Sequence, residues 1–144
     1  LCGKEHGFMP IVVNVVSKEE YAQWLAEKQG EAAQIKDLMA QTFSMDELME
    51  RGKATYERSC LACHGASGEG GVGTAIAGSA VATGELAGHL NIGINGVPGT
   101  AMQAFGSQLN DVDMAAVITY QRNAFGNNMG DMVQPIDVFN HKKG

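Results

Sequence analysis

Apolar positions recur every three or four residues along most of this chain, and that period predicts a mostly α protein. Ser17-Lys18-Glu19-Glu20 forms a capping box, with a serine hydroxyl for an orphan amide and a glutamate reaching back. Tyr21, Trp24, Leu25 and Lys28 then share a stripe, and Gly30 is expected to end the helix. The single tryptophan on that stripe reads as a core anchor. A second amphipathic piece, carrying Ile35, Leu38, Met39 and Phe43, is expected from about Glu31 to Thr42. Ser44-Met45-Asp46-Glu47 repeats the capping signal and opens a helix whose face is Met45, Leu48, Met49, Gly52 and Tyr56. Glycine in mid-helix costs about 1 kcal/mol relative to alanine, so a close helix crossing is expected at Gly52. A helix from about Gly84 carries Leu86, Leu90 and Ile94. Asn110 caps the next, with Asp111 and Asp113 suited to the positive end of its dipole. That helix is apolar on most sides, and its Ala116 and Tyr120 are the expected partners of the Gly52–Tyr56 face. One stretch breaks the helical period: Ile11–Val16, after Pro10, reads as a β-strand. Past Gly126 periodicity fades, and Asn127 to Gly144 reads as surface coil.

Chemistry concentrates at Cys60-Leu61-Ala62-Cys63-His64. Two thiols three residues apart can each add across a vinyl group of one haem, with the following imidazole placed to ligate the iron. The competing readings are half a zinc site and a dithiol redox pair. Zinc needs four ligands, and only Cys2, His6, His89 and His141 remain to complete a set. A thioredoxin-like pair needs a βαβ context that this region lacks. The glycine-dense run Gly65 to Gly73 is an irregular loop whose backbone can lie against something flat, and Ile76 beyond it is the best haem-contact candidate. Met102 follows the Pro98-Gly99 turn rather than lying on a helical stripe, which sets it apart from the other methionines as a sixth iron ligand. His89 rivals it in chemistry, but its place on a helix reads it as a surface or capping residue.

Composition narrows the picture. With 44% hydrophobic and 18% charged residues the chain is globular, and it contains no run long enough to span a membrane. A net charge of −6 argues against nucleic acid and mildly favours a basic protein partner. Three cysteines do not make a disulfide scaffold. Near the start, Cys2, His6 and Met9 offer a thiolate, an imidazole and a thioether, a soft set suited to copper.

Two resemblances follow from these residues. Leu1–Val16 resembles the end of subunit II of haem–copper cytochrome c oxidases. There a Cys-x-Glu-x-Cys-x-x-x-His-x-x-Met loop closes a cupredoxin barrel around a binuclear copper centre. Cys2, His6 and Met9 match the second cysteine, the second histidine and the methionine. The resemblance implies truncation inside the motif, an incomplete copper site, and a remnant strand without its sheet. Such a strand is expected to pair with another copy or be disordered, with a Cys2–Cys2 disulfide as an accompanying risk. Ser44 to about Asp137 resembles a class I cytochrome c domain in its first helix, haem motif, Pro-Gly-Thr-Ala-Met turn and last helix. It departs from that pattern in having no proline between His64 and Pro98 to orient the proximal histidine.

Together they resemble a bacterial oxidase subunit II with a fused cytochrome c domain. The implied layout is a cupredoxin remnant (1–16), a helical linker (17–43) and a class I cytochrome c fold with its tail (44–144). The implied cofactor is haem c, bound by Cys60 and Cys63, with His64 and Met102 on the iron. The copper centre would be complete only in the intact subunit. The implied activity is one-electron relay, from a donor c-type cytochrome to the copper centre, within the oxidase and beside its other subunits. This piece would be soluble, its parent membrane-anchored, on the periplasmic side of the inner membrane. A haem-based gas sensor is the alternative.

Overall fold

A computed structural model describes residues 13–144 of the 144-residue chain. Among the described residues the protein is all helix. The chain divides into two compact units, Leu1–Gln34 and Ile35–Gly144. Of the expected strand, Val13–Val16 are exposed coil, since a strand needs a ladder partner. The rest of it, with Cys2, His6 and Met9 and the proposed strand pairing, lies outside the described residues.

Helix α1 runs Lys18–Ala40 without a break at Gly30. Ser17 Oγ accepts from the Glu20 amide at 3.2 Å and the Glu20 carboxylate accepts from the Ser17 amide at 2.8 Å, as the capping box requires. The expected stop at Gly30 is corrected. Good helix formers flank it on both sides (Glu27-Lys28-Gln29 and Glu31-Ala32-Ala33) and together outweigh one glycine. Trp24 has no core to anchor among the described residues. It stacks on Tyr21 with centroids 5.7 Å apart and stays about half exposed.

The second unit is built on one crossing. Helix α2 (Met45–Ser59) starts from the Ser44–Glu47 capping box and buries Leu48, Gly52, Thr55 and Tyr56. It packs on α5 (Asp111–Asn123), which Asn110 caps by accepting from the Asp113 amide at 2.8 Å. At the crossing the backbones touch. A β-carbon at Gly52 would overlap the Ala116 carbonyl and stand 2.6 Å from Tyr120 Cβ. Met114, Ala115, Ala116 and Ile118 on α5 are at most 2% exposed. Tyr56 reaches past the crossing, and its hydroxyl donates to the Gly65 carbonyl at 2.7 Å. Its ring meets Tyr120 and Phe125 at 5.7 and 5.1 Å between centroids. Phe125 holds a left-handed backbone (φ 59°) to deliver its ring there, against the Cα of Gly68.

Short helix α3 (Leu61–His64) carries the haem motif, and α4 (Leu86–Asn95) packs on α5. The tail corrects the expectation of coil. Pro135–Lys143 is a sixth helix, α6, with Val138 and Phe139 buried and Val133 buried just before it. Pro135 at its first position and the Asp137 carboxylate accepting from the Gln134 amide at 2.9 Å start it. The Gln134 side chain is spent elsewhere. It accepts from the Phe43 amide at 3.0 Å and donates to the Phe43 carbonyl at 2.9 Å, fastening α6 to the entry of α2.

Gly52→Ala is expected to destabilise the domain by about 1–3 kcal/mol through overpacking. Gly88→Ala in α4, where an added Cβ meets nothing within 4 Å, should be neutral or stabilising by up to about 1 kcal/mol. Urea unfolding of the two variants beside the parent checks the contrast.

Candidate functional site

A cavity of about 430 Å³ opens between α3, the glycine loop, α4, the Val97–Met102 turn and α5. Cys60, Cys63, His64, Ile76 and Met102 all line it, so the structure gathers the haem-site candidates at one place. Its other walls are mostly aliphatic, with Ile92, Val97, Leu109, Met114, Val117 and Ile118 among them.

Each candidate is held by local chemistry. The α2 backbone continues through Cys60, whose amide donates to the Tyr56 carbonyl at 2.8 Å. The turn then closes with the Cys63 and His64 amides on the Cys60 carbonyl at 3.1 and 3.0 Å. The glycine loop folds back on this turn, Gly70 N–H to the His64 carbonyl and Gly73 N–H to the Cys63 carbonyl, both 2.8 Å. Gly73 lies flat against the His64 imidazole, where a β-carbon would stand 2.8 Å from Cε1. His64 Nδ1 donates to the Thr74 carbonyl at 2.7 Å, which leaves the Nε2 lone pair available. Thr74 thus takes the orienting role that no proline fills in this chain. Ile76 is pinned from behind, with its amide on the Gly68 carbonyl at 2.8 Å and its carbonyl accepting from the Asn127 amide side chain at 3.2 Å.

Met102 closes a small ring. Its carbonyl accepts from the Val97 amide at 2.9 Å, and its amide donates to the Thr100 hydroxyl oxygen at 3.1 Å. Gly99 sits in the turn at φ 78°. Gly96 has no side chain because the Met102 carbonyl passes 2.6 Å from where a β-carbon would be.

The competing chemistries fare poorly here. Burial pushes the Cys60 thiol up to about 11, the reverse of the lowered value a dithiol redox pair needs. Among the described residues no three His, Cys, Asp or Glu side chains converge to hold a metal ion, and Cys2 and His6, named for a zinc set, lie outside them.

His89 corrects the sequence reading. It is 5% exposed, lines the cavity, and has its Nε2 2.9 Å from Gln121 Oε1. It is neither a surface nor a capping histidine. The signal was present: Leu86, His89, Leu90, Gly93 and Ile94 form a full-width apolar stripe at 3–4 spacing, and His89 falls inside it. Gln121 and Thr74 were missed altogether. Nothing in the sequence marks a backbone carbonyl or one glutamine on a buried helix.

A CxxCH turn at the end of one helix, sharing an apolar cavity with a methionine loop, defines a cytochrome c domain. The chain belongs to the family described as cytochrome C oxidase, cbb3-type, subunit III, which matches residues 47–120, just over half of its length. It is also similar to curated subunit 2 proteins of cytochrome c oxidase. The probable subunit 2 of Rickettsia bellii is 58% identical over 33 residues, 23% of this chain and 12% of the relative. Subunit 2 of Cereibacter sphaeroides is 43% identical over 42 residues, 29% of this chain and 14% of the relative. That of Phytophthora megasperma is 61% identical over 28 residues, 19% and 10%. The chain thus spans a small part of the relatives it matches. It is related to oxidase subunit 2 and carries a cytochrome c domain.

Burial holds His89 down to about 4, with Gln121 raising it, Arg122 lowering it and Asp131 raising it again. A basic group depressed below its unfolded value of 6.5 contributes stability that is complete above pH 6.5 and lost as pH falls toward 4. Between about pH 7 and pH 5 that loss amounts to about 2 kcal/mol. Urea midpoints of the haem-loaded protein across this range should show it, and His89→Gln should flatten it.

Proposed function

We propose that this chain carries single electrons through a haem c. Cys60 and Cys63 would bind it covalently, His64 and Met102 would ligate its iron, and Ile76 would pack against it. The observation that carries the reading is the single cavity lined by both thiols, His64 and Met102, with His64 held so that Nε2 remains free. Each cysteine would add its S–H across a vinyl group, the sulfur bonding one carbon and the hydrogen the next. The bound haem supplies a one-electron iron couple, and thioether ligation favours its ferrous form. The residues then do four things. The two thioethers fix position, Thr74 fixes the imidazole, the Val97–Met102 ring presents the sulfur, and the aliphatic wall keeps water out.

The electron's destination, in this reading, is the binuclear copper centre of an oxidase subunit II, of which Cys2, His6 and Met9 would be ligands. The layout is a cupredoxin end (1–16), a linker (17–43) and a cytochrome domain (44–144). A donor c-type cytochrome would supply the electron on the periplasmic side of a bacterial inner membrane, where the parent subunit is anchored beside its partner subunits. The linker raises the effective concentration of haem domain at copper domain without a new contact. The matches to oxidase subunit 2 support this placement.

Charge refines the donor's surface. Between Gly70 and Asn110 the only charged side chain is Glu85, and the cavity residues Val72 and Val81 are exposed. Glu85 supplies one of the six excess negative charges and the other five lie elsewhere in the sequence. The donor would meet the 70–110 side of the mouth with a mostly uncharged, apolar face.

The protein expressed with haem maturation should give sharp reduced bands and, oxidised, the weak far-red band of sulfur-ligated ferric haem. Met102→Ala should abolish that band, lower the potential and admit carbon monoxide to the ferrous iron. Carbon monoxide binding by the unmodified protein at neutral pH would instead favour the gas sensor.

A further inference from the structure

In the cavity wall three side chains form a polar chain that electron relay through the iron ligands does not use. His89 Nε2 stands 2.9 Å from Gln121 Oε1, and Gln121 Nε2 stands 3.8 Å from Cys60 Sγ. Gln121 is 7% exposed and His89 5%. His89 Nδ1 is buried with no hydrogen-bond partner. An orphaned buried group of this kind is rare enough to need a reason.

The orphan fixes the direction of the whole chain. A buried N–H without an acceptor is the costlier orphan, so Nδ1 carries the lone pair and Nε2 the proton. His89 Nε2–H therefore donates to Gln121 Oε1. The glutamine amide is then oriented with its N–H₂ end at Cys60. Turning it over would strand a proton on Nδ1 and leave sulfur facing Oε1, a contact that only a thiol S–H could satisfy. A thioether sulfur has no proton to give and can only accept. Attachment of the haem therefore strengthens the same orientation.

We propose that His89 and Gln121 are a positioning pair that tunes the haem from its attachment point: His89 locks the Gln121 amide so that its N–H points at the Cys60 sulfur. This rests on Cys60 being a haem thioether. The positive end of an amide dipole at the sulfur, in an apolar wall, stabilises an electron arriving on the attached ring. Second-shell hydrogen bonding is one of the protein's levers on haem potential, and here it would act through the attachment sulfur, which does not ligate the iron. The pair acts without touching the iron, so it leaves both axial positions unchanged.

The test uses the haem-loaded chain, with midpoint potential and optical spectrum as readouts. Gln121→Leu should lower the ferrous-to-ferric ratio at a fixed applied potential by about threefold to tenfold, tenfold being about 59 mV for one electron. His89→Leu should shift it the same way, and the double variant no further than Gln121→Leu alone. His89→Gln, whose amide can still donate to Gln121 Oε1, should restore the parent value to within about twofold. The far-red band should persist in every variant. Nitrogen-15 shifts of His89 in the unmodified protein should report the Nε2–H tautomer, a check that needs no variant to fold. An unchanged potential in a Gln121→Leu protein that has attached its haem would overturn the proposal. So would additive His89 and Gln121 effects, or an Nδ1–H tautomer. Failure of the unmodified chain to attach haem at Cys60 would instead sink the electron-relay reading beneath it.

Discussion

The contact on which the rest depends is the backbone approach of α2 to α5 at Gly52. With no side chain there, Ala116 and Tyr120 can reach the α2 axis. Two turns later the same face of α2 ends at Cys60, and one residue past Tyr120 on α5 lies Gln121. The crossing therefore fixes the separation of the Cys60 sulfur and the amide that faces it. It also sets Tyr56 under Gly65, so that the loop after His64 begins from a fixed point. Burial, with the Cys60, Glu69 and Tyr120 groups nearby, pushes the phenol up to about 12, so it stays a donor. A side chain at position 52 would cost more than its packing energy, because the site is registered from this contact.

Much of this was legible because local rules and the tertiary structure agree. The two serine capping boxes, the Asn110 cap and the glycine crossing each combine a sequence signal with one structural solution. The glycine run after His64 was readable for the same reason, since Gly73 lies against the imidazole plane. Other features escaped because one rule was weighed without its neighbours. Gly30 taken alone signals a stop, but strong helix formers surround it, and in Gln134-Pro135-Ile136-Asp137 the fading periodicity hides a start signal, proline at the first helical position. Trp24 is large and apolar, yet a stripe buries only against a partner.

What no local rule encodes is the long-range polar satisfaction of the cavity. Thr74 offers its carbonyl to His64, Asn127 ties Ile76 to the end of α5, and Gln134 closes on Phe43 across 91 residues of sequence. Each contact uses a backbone group or an amide that any of many residues supplies. Sequence patterning therefore finds the candidate ligands and misses what aims them. A fold that lacks proline after its haem motif can still orient the proximal imidazole, because the requirement is a carbonyl at the right distance.

The distribution of charge follows from the same division between ligands and scaffold. Arg122 is 2% exposed and buries its guanidinium only because Asp131 and the Gly84 carbonyl satisfy it, at 2.7 to 3.0 Å. That pair anchors the loop before α6 and the entry to α4, on the far end of α5 from the Asn110 cap. Along the 70–110 stretch, by contrast, the chain spends glycine, serine, threonine and aliphatic residues and a single carboxylate. A charge beside a one-electron centre shifts its potential and must be desolvated at every encounter. Neutral dipoles, such as the Thr74 carbonyl and the Gln121 amide, exert smaller and fixed fields that need no reorganisation when the electron moves. A domain that takes and gives an electron repeatedly is better served by such dipoles than by ions, and the arrangement around this cavity follows that rule.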